Sequence, residues 1–109
     1  MNKTSTIQAN DGTLTLVNVF SVRPENQDRL VRALLQATDQ RMRHVDGFIS
    51  ANVLKSLDGE RVTNFAQWRS REAFETMLKD PKAREHMQSI QEFASGEPHL
   101  YEVVDVVHI

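Results

Sequence analysis

Apolar residues alternate with polar ones along four stretches of the chain and recur every three or four residues along three others. Alternation is typical of strands, because successive side chains point to opposite faces, and the longer period is typical of helices. The pattern predicts strands over about 13–22, 48–57, 62–68 and 100–107. It predicts helices over about 24–43 and 71–79, and a further helical piece from residue 81 to about 95.

The boundaries of these elements carry specific signals. Ser70 and Asp80 stand where helix caps are expected, and Pro81 suits a first helical position. Asp58-Gly59 is typical of a tight hairpin between two strands. We expect Gly96, followed closely by a proline, to end the last helix.

The element order is strand, helix, strand, strand, broken helix, strand. This order predicts an α+β fold of the ferredoxin-like, split βαβ type, with helices on one face of a four-stranded antiparallel sheet. The strands nevertheless carry apolar residues on both faces. The apolar residues on the face without helices must be shielded from solvent in another way. We therefore expect a homodimer joined through the sheet faces that bear Val17, Val53 and Phe65. Residues 1–12 are expected to form a flexible tail before a single domain over 13–109.

Composition narrows the range of functions. The chain has 109 residues, a net charge of −2 and no cysteine. The charge gives no sign of a nucleic-acid partner, and no apolar run is long enough to cross a membrane. The lack of cysteine excludes disulfides, thiol catalysis and Cys-ligated metal. The N-terminus has no apolar signal segment, so we expect a cytoplasmic protein.

The candidate chemistry lies in the strand before Ser70. Asn64, Ala66 and Trp68 alternate onto one face, where an amide and the only tryptophan flank a small residue. A polar and an aromatic group beside a gap are typical of a pocket wall. The alternative is that Trp68 is a core aromatic and Asn64 bonds the backbone at the strand end.

The segment Val62-Thr63-Asn64-Phe65-Ala66-Gln67-Trp68, with Ser70 and an aromatic at Phe74 after it, resembles the antibiotic biosynthesis monooxygenase family. The resemblance covers nearly the whole chain. The Asn-x-Ala-Gln-Trp string resembles the motif of the family branch that acts on polycyclic aromatic polyketides. It implies a dimeric α+β barrel and a cofactor-free oxygenase. Such an enzyme turns a phenol or hydroquinone into a quinone, with molecular oxygen as co-substrate and without a metal.

The resemblance also implies roles for single residues. Asn64 and Trp68 match pocket residues and are the candidate catalytic groups; the candidate substrate-binding residues are Asn18, Phe74, Met77 and His86. Two positions depart from the pattern: some members have a tyrosine at Phe74 and an arginine near Met87.

Two alternatives stay open. The first is a haem-binding or haem-degrading protein, because relatives of that kind have an iron-ligating histidine near the position of His86, and Asn18 fits their first-strand asparagine. Met77 stands where those relatives have a tryptophan. The second alternative is a dimer that binds a small apolar ligand without turnover. His86 itself is also consistent with a core histidine, and Arg69, Arg71 and Arg84 with solvated helix surface.

Overall fold

A computed structural model describes residues 3–109. Four strands form one antiparallel sheet in the order β2-β3-β1-β4. The strands are β1 (Leu14–Val22), β2 (Phe48–Lys55), β3 (Arg61–Trp68) and β4 (Ala94–Tyr101). The central strands β1 and β3 therefore do not follow each other in sequence, which is the split βαβ arrangement that the sequence predicts.

Three helices cover one face of the sheet. They are α1 (Gln27–Gln40), α2 (Arg71–Leu78) and α3 (Pro81–Gln91), and single 3-10 turns flank α1 on both sides. The predicted caps are confirmed: Ser70 Oγ accepts a hydrogen bond from the Ala73 amide at 3.1 Å, and Asp80 Oδ1 accepts one from the Ala83 amide at 2.9 Å. Ser70 thus begins α2 shortly after β3 ends, and Asp80 begins α3 as a helix separate from α2.

The predicted faces of β2 need a correction. The register shifts between Phe48 and Ser50, so Phe48 shares the helix-covered face with Ala51 and Val53. Val53 packs against the core cluster around Phe20 and does not lie on the open face where we expected a dimer contact. A bulge inserts one residue into the pairing, and a strict alternation read along the sequence cannot reveal it.

The last strand is also misplaced in the sequence prediction. β4 runs over Ala94–Tyr101, whereas the valine-rich stretch after it forms no strand, and Gly96 lies inside β4 instead of ending a helix. Pro98 is tolerated because β4 is an edge strand, which leaves one side without ladder hydrogen bonds. The valine-rich stretch has a high strand propensity, but the segment that pairs with β1 is Ala94–Tyr101, whose propensity is low.

The open face of the sheet bears Val17 and Phe65, both half-buried, as the sequence predicts. Part of this face is covered by the segment before β1: Gln67 Nε2 donates to the Thr6 carbonyl at 2.8 Å, and Ser5 Oγ lies 2.6 Å from Asn52 Oδ1. The division into a tail over 1–12 and a domain over 13–109 stays a prediction, and Met1 and Asn2 lie outside the described residues.

Among the helices of residues 3–109, none has the length and apolar character needed to span a bilayer. The expected cytoplasmic location stays a prediction.

Candidate active site

A cavity of about 840 Å³ lies between the helix-covered face of the sheet and the three helices. All six residues that the sequence singles out line it: Asn18, Asn64, Trp68, Phe74, Met77 and His86. The volume falls within the roughly 300–1,000 Å³ of ligand pockets in proteins. The fold therefore brings the predicted residues together, although they come from two strands and two helices.

Three polar atoms on the sheet side of this cavity are buried and have no hydrogen-bond partner within residues 3–109: Asn18 Oδ1, Asn64 Oδ1 and Trp68 Nε1. Asn18 and Asn64 are directly paired residues of β1 and β3, and Trp68 follows on the same face of β3. A buried polar atom without a partner costs about 1–3 kcal/mol. Such atoms on one wall of a cavity indicate that a ligand with matching polar groups satisfies them.

Aromatic rings hold Trp68 in place. Its side chain is 2% exposed, and it meets Phe48 edge-on at a centroid distance of 5.5 Å and Phe74 at 6.3 Å. Phe48 comes from the bulged end of β2 and Phe74 from α2, so two elements fix the indole orientation. Trp68 therefore packs as a core aromatic, as the alternative reading expects, but its N–H has no hydrogen-bond partner among residues 3–109.

The alternative reading of Asn64 requires its side chain to bond the backbone at the strand end. In the described part of the chain, Asn64 Oδ1 has no hydrogen-bond partner, so this oxygen does not make such a bond. Asn52, another strand amide, behaves differently. It lies on the opposite face of the sheet and donates through Nδ2 to the Phe65 carbonyl at 2.9 Å. The contrast between the two amides supports a role in binding for Asn64 and a role in the fold for Asn52.

The cavity opens between α2, α3 and the edge strand β4, because its exposed lining residues all belong to these elements. Arg71 and Arg84 are among them; both are exposed on helices, as the sequence predicts, and both border the mouth of the cavity. Arg71 Nε lies 3.2 Å from Glu75, whereas Arg84 makes no ion pair within residues 3–109.

Carboxylates are absent from the described lining of the cavity, which includes the two arginines and two histidines, His86 and His99. This absence is notable in a chain whose 15 acidic residues outnumber its 13 Lys and Arg. Positive charge at the mouth favours an anionic ligand and lowers the pKa of a phenol bound nearby.

An ion pair braces the helical side of the cavity. Arg41, just after α1, donates through Nε to Asp80 Oδ1 at 2.9 Å and through a second nitrogen to Asp80 Oδ2. The Arg41 guanidinium, together with the backbone amide of Ala83, lowers the pKa of Asp80 to about 2. Because Asp80 also caps α3, this pair ties the end of α1 to the start of α3.

Sequence reasoning missed the residues of the cavity rim, above all Gly96 and Pro98 on β4. From the sequence, Gly96 and the proline after it are expected to end a helix. Both residues instead lie within β4 and border the cavity. One signal for this strand was available in the sequence: the segment 94–99 is mostly polar and contains a proline, which is typical of an edge strand.

Comparisons with known proteins agree with this geometry. The sequence pattern of the family described as antibiotic biosynthesis monooxygenase matches residues 13–89. The chain is 41% identical over 99 residues to tetracenomycin-F1 monooxygenase of Streptomyces glaucescens, which covers 91% of this chain and 88% of that protein.

Two solved structures share the fold. The ActVA-Orf6 monooxygenase of Streptomyces coelicolor, solved with nanaomycin D, superimposes with a TM-score of 0.81 at 25% identity, over 88% of this chain and 91% of that one. SnoaB of Streptomyces nogalater, a cofactor-independent oxygenase, gives 0.78 at 19% identity, over 88% and 97%. The second likeness shows the fold alone.

The ferredoxin-like α+β fold and the monooxygenase assignment, both predicted from the sequence, are confirmed by these matches. The family pattern begins at β1 and extends into α3, so it includes every strand and helix that contributes a predicted site residue. The family match over residues 13–89 and the 41% identity to tetracenomycin-F1 monooxygenase show that the chain belongs to the antibiotic biosynthesis monooxygenase family.

Proposed function

We propose that the protein is a cofactor-independent monooxygenase that oxidises a phenolic or hydroquinone aromatic substrate, of the polyketide type, to a quinone with molecular oxygen. The observation that carries the proposal is the cavity wall formed by Asn18, Asn64 and Trp68. Each of these side chains has a buried polar atom without a hydrogen-bond partner in residues 3–109. The tetracenomycin-F1 monooxygenase and the nanaomycin D complex support an aromatic polyketide as ligand, and SnoaB supports the lack of a cofactor.

The chemistry needs no redox group from the protein, because the substrate itself supplies the electrons. A phenol first loses its O–H proton, and the phenolate donates electrons to oxygen until a C–O bond joins one oxygen atom to a ring carbon. After protonation of the resulting peroxide, loss of the C–H proton and cleavage of the O–O bond release one molecule of water. One oxygen atom stays in the quinone and the other leaves as water.

The protein's part is to stabilise the phenolate, orient it and exclude water. The Trp68 N–H is a donor in a nearly fully buried position, where a hydrogen bond to a charged oxygen is worth most. The carboxamide of Asn64 has both a donor group and an acceptor oxygen, so it orients a second oxygen of the substrate. Arg84 at the mouth favours the anionic form of the substrate as it enters.

The test is oxygen uptake with an anthrone or hydroquinone under ¹⁸O₂. We expect one labelled oxygen atom in the quinone and one in water, and a loss of rate in Asn64→Ala. The matched control is Asn26→Ala, which removes a carboxamide outside the cavity and should retain the wild-type rate. Binding without oxygen uptake would refute the enzyme and leave the non-catalytic ligand-binding alternative.

Haem binding is tested separately, because His86 is half-buried and lines the cavity. We expect no sharp Soret band at one equivalent of haemin. A band that appears in the wild type and is lost in His86→Ala would replace the quinone-forming proposal with the haem alternative.

We further propose that the protein is a homodimer joined through the open face of the sheet, where Val17 and Phe65 are half-buried and Leu54 is 52% exposed. Light scattering at micromolar concentration should give twice the chain mass of 12.5 kDa, and Phe65→Asp should shift it toward the monomer. A monodisperse wild-type monomer would refute this assembly.

A further inference from the structure

Gly96 occupies a position on β4 where the backbone does not need glycine. Residues with positive φ in the described chain include Gly47 and Gly59 but not Gly96. It lies in the middle of β4, paired with Phe20 of β1, and forms part of the cavity rim. Since backbone freedom does not explain a glycine here, the explanation lies in the space that a side chain would take.

That space is already occupied. A Cβ atom at position 96 would lie 2.9 Å from Asn18 Oδ1, and 3.0 and 3.2 Å from two carbons of the Phe20 ring. The ring cannot yield easily, because Phe20 is 8% exposed and packs in a core cluster with Leu30, Leu34 and Val62. The carboxamide of Asn18 is the group that can move, since it borders the cavity and its Oδ1 has no hydrogen bond to the residues that the structure describes.

We propose that Gly96 is a positioning residue for Asn18, which makes it a determinant of substrate specificity in this site. Glycine lets the Asn18 carboxamide lie back toward β4, where its oxygen accepts a hydrogen bond from a hydroxyl on the substrate edge that faces this strand. Any side chain at position 96 turns the carboxamide into the cavity, which removes that contact and narrows the space for the rings. This role for the substrate rests on the proposed function, whereas the effect on Asn18 does not.

The first test uses the protein without substrate. In ¹⁵N-labelled protein, the side-chain NH₂ signals of Asn18 are assigned by their loss in Asn18→Ala. We expect Gly96→Ala to shift these signals while the control Ser95→Ala, on the outward face of the same strand, leaves them in place. Unchanged Asn18 signals in Gly96→Ala would overturn the proposal, whether or not the protein turns over any substrate.

A second variant keeps this test decisive if alanine at position 96 impairs folding. Phe20→Leu removes the ring carbons that a new Cβ would meet, so Phe20→Leu/Gly96→Ala retains the contact with Asn18 alone. The Asn18 signals of this double variant, compared with Phe20→Leu, should shift as they do in Gly96→Ala. An absent shift would overturn the proposal here too.

The second test measures turnover in a double-mutant cycle. Loss of one neutral hydrogen bond predicts a KM roughly 3- to 10-fold higher for Gly96→Ala, with kcat within about 2-fold of the wild type. Asn18→Ala should show the same rise, and the double variant should be no worse than Asn18→Ala alone. Effects that multiply in the double variant would mean that Gly96 acts by another route and would refute the positioning role. A wild-type protein without turnover would refute the proposed function but not the NMR result.

Discussion

Trp68→Phe isolates the contribution of a single N–H group. The substitution keeps an aromatic ring between Phe48 and Phe74 and deletes the Nε1 donor, which has no hydrogen-bond partner in the described part of the chain. The fold therefore loses no hydrogen bond. The smaller ring should lower the free energy of unfolding by roughly 1–2 kcal/mol, less than the roughly 3–5 kcal/mol typical of removing a buried aromatic ring altogether.

The catalytic effect should be larger than the effect on stability. A hydrogen bond to a charged oxygen contributes about 1.5–3 kcal/mol. If the indole N–H donates to the phenolate mainly as its charge develops in the reaction with oxygen, kcat should fall about 10- to 150-fold. The dissociation constant of the quinone product, which is neutral, should change much less.

The assay is oxygen uptake at saturating substrate, combined with calorimetric binding of the quinone and thermal unfolding of each variant. Phe48→Leu is the matched control, because it removes an edge-on contact worth about 0.5–1.5 kcal/mol from the same indole but leaves the N–H in place. A Trp68→Phe variant with a kcat within about 2-fold of the wild type would refute the reasoning. An equal loss of kcat in Phe48→Leu would show that ring packing, not the donor, supports turnover.

Two other predictions address the charges around the cavity. Arg84→Gln should lower kcat/KM for an anionic phenol several-fold at low salt, and the difference from the wild type should shrink at high ionic strength. The control Lys82→Gln, which changes a residue of the same helix outside the cavity, should leave kcat/KM unchanged. Equal effects of the two variants would contradict a local role for Arg84. Because the pKa of Asp80 is about 2, below its ordinary 3.8, its ion pair with Arg41 stabilises the fold above about pH 4 and is lost as the pH falls through about 2. Acid unfolding of Asp80→Asn, which retains a helix cap, should show a weaker dependence on pH across that range, and an unchanged dependence would refute the linkage.

Local signals predicted much of the fold. Ser70 and Asp80 cap helices because a side-chain oxygen three residues before a free backbone amide satisfies it wherever the rest of the chain lies. The hairpin at Asp58-Gly59 is equally local, since Asp58 Oδ1 accepts from the Glu60 amide at 3.0 Å and Gly59 has a positive φ. Three strands, three helical pieces and their order followed from such signals and from apolar periodicity.

The sequence prediction was wrong where pairing with a distant strand determined the side-chain faces or the position of a strand. The bulge between Phe48 and Ser50 reverses the faces of β2, because a single extra residue in the ladder shifts every later side chain. The fourth strand formed over residues 94–101 and not over the valines beyond, because hydrogen bonding to β1 outweighed intrinsic propensity.

The sequence alone determined which chemical groups share a strand face: Asn64 and Trp68 had to lie together, because the side-chain period of a strand is two. Only the tertiary structure decided that Asn18 faces them from β1, that no atom of residues 3–109 satisfies these groups, and that Gly96 leaves room for the Asn18 carboxamide. The burial and the hydrogen bonds of a side chain depend on all the residues that surround it in space. The sequence of one strand determines which face each side chain occupies, but not which residues of other elements contact it.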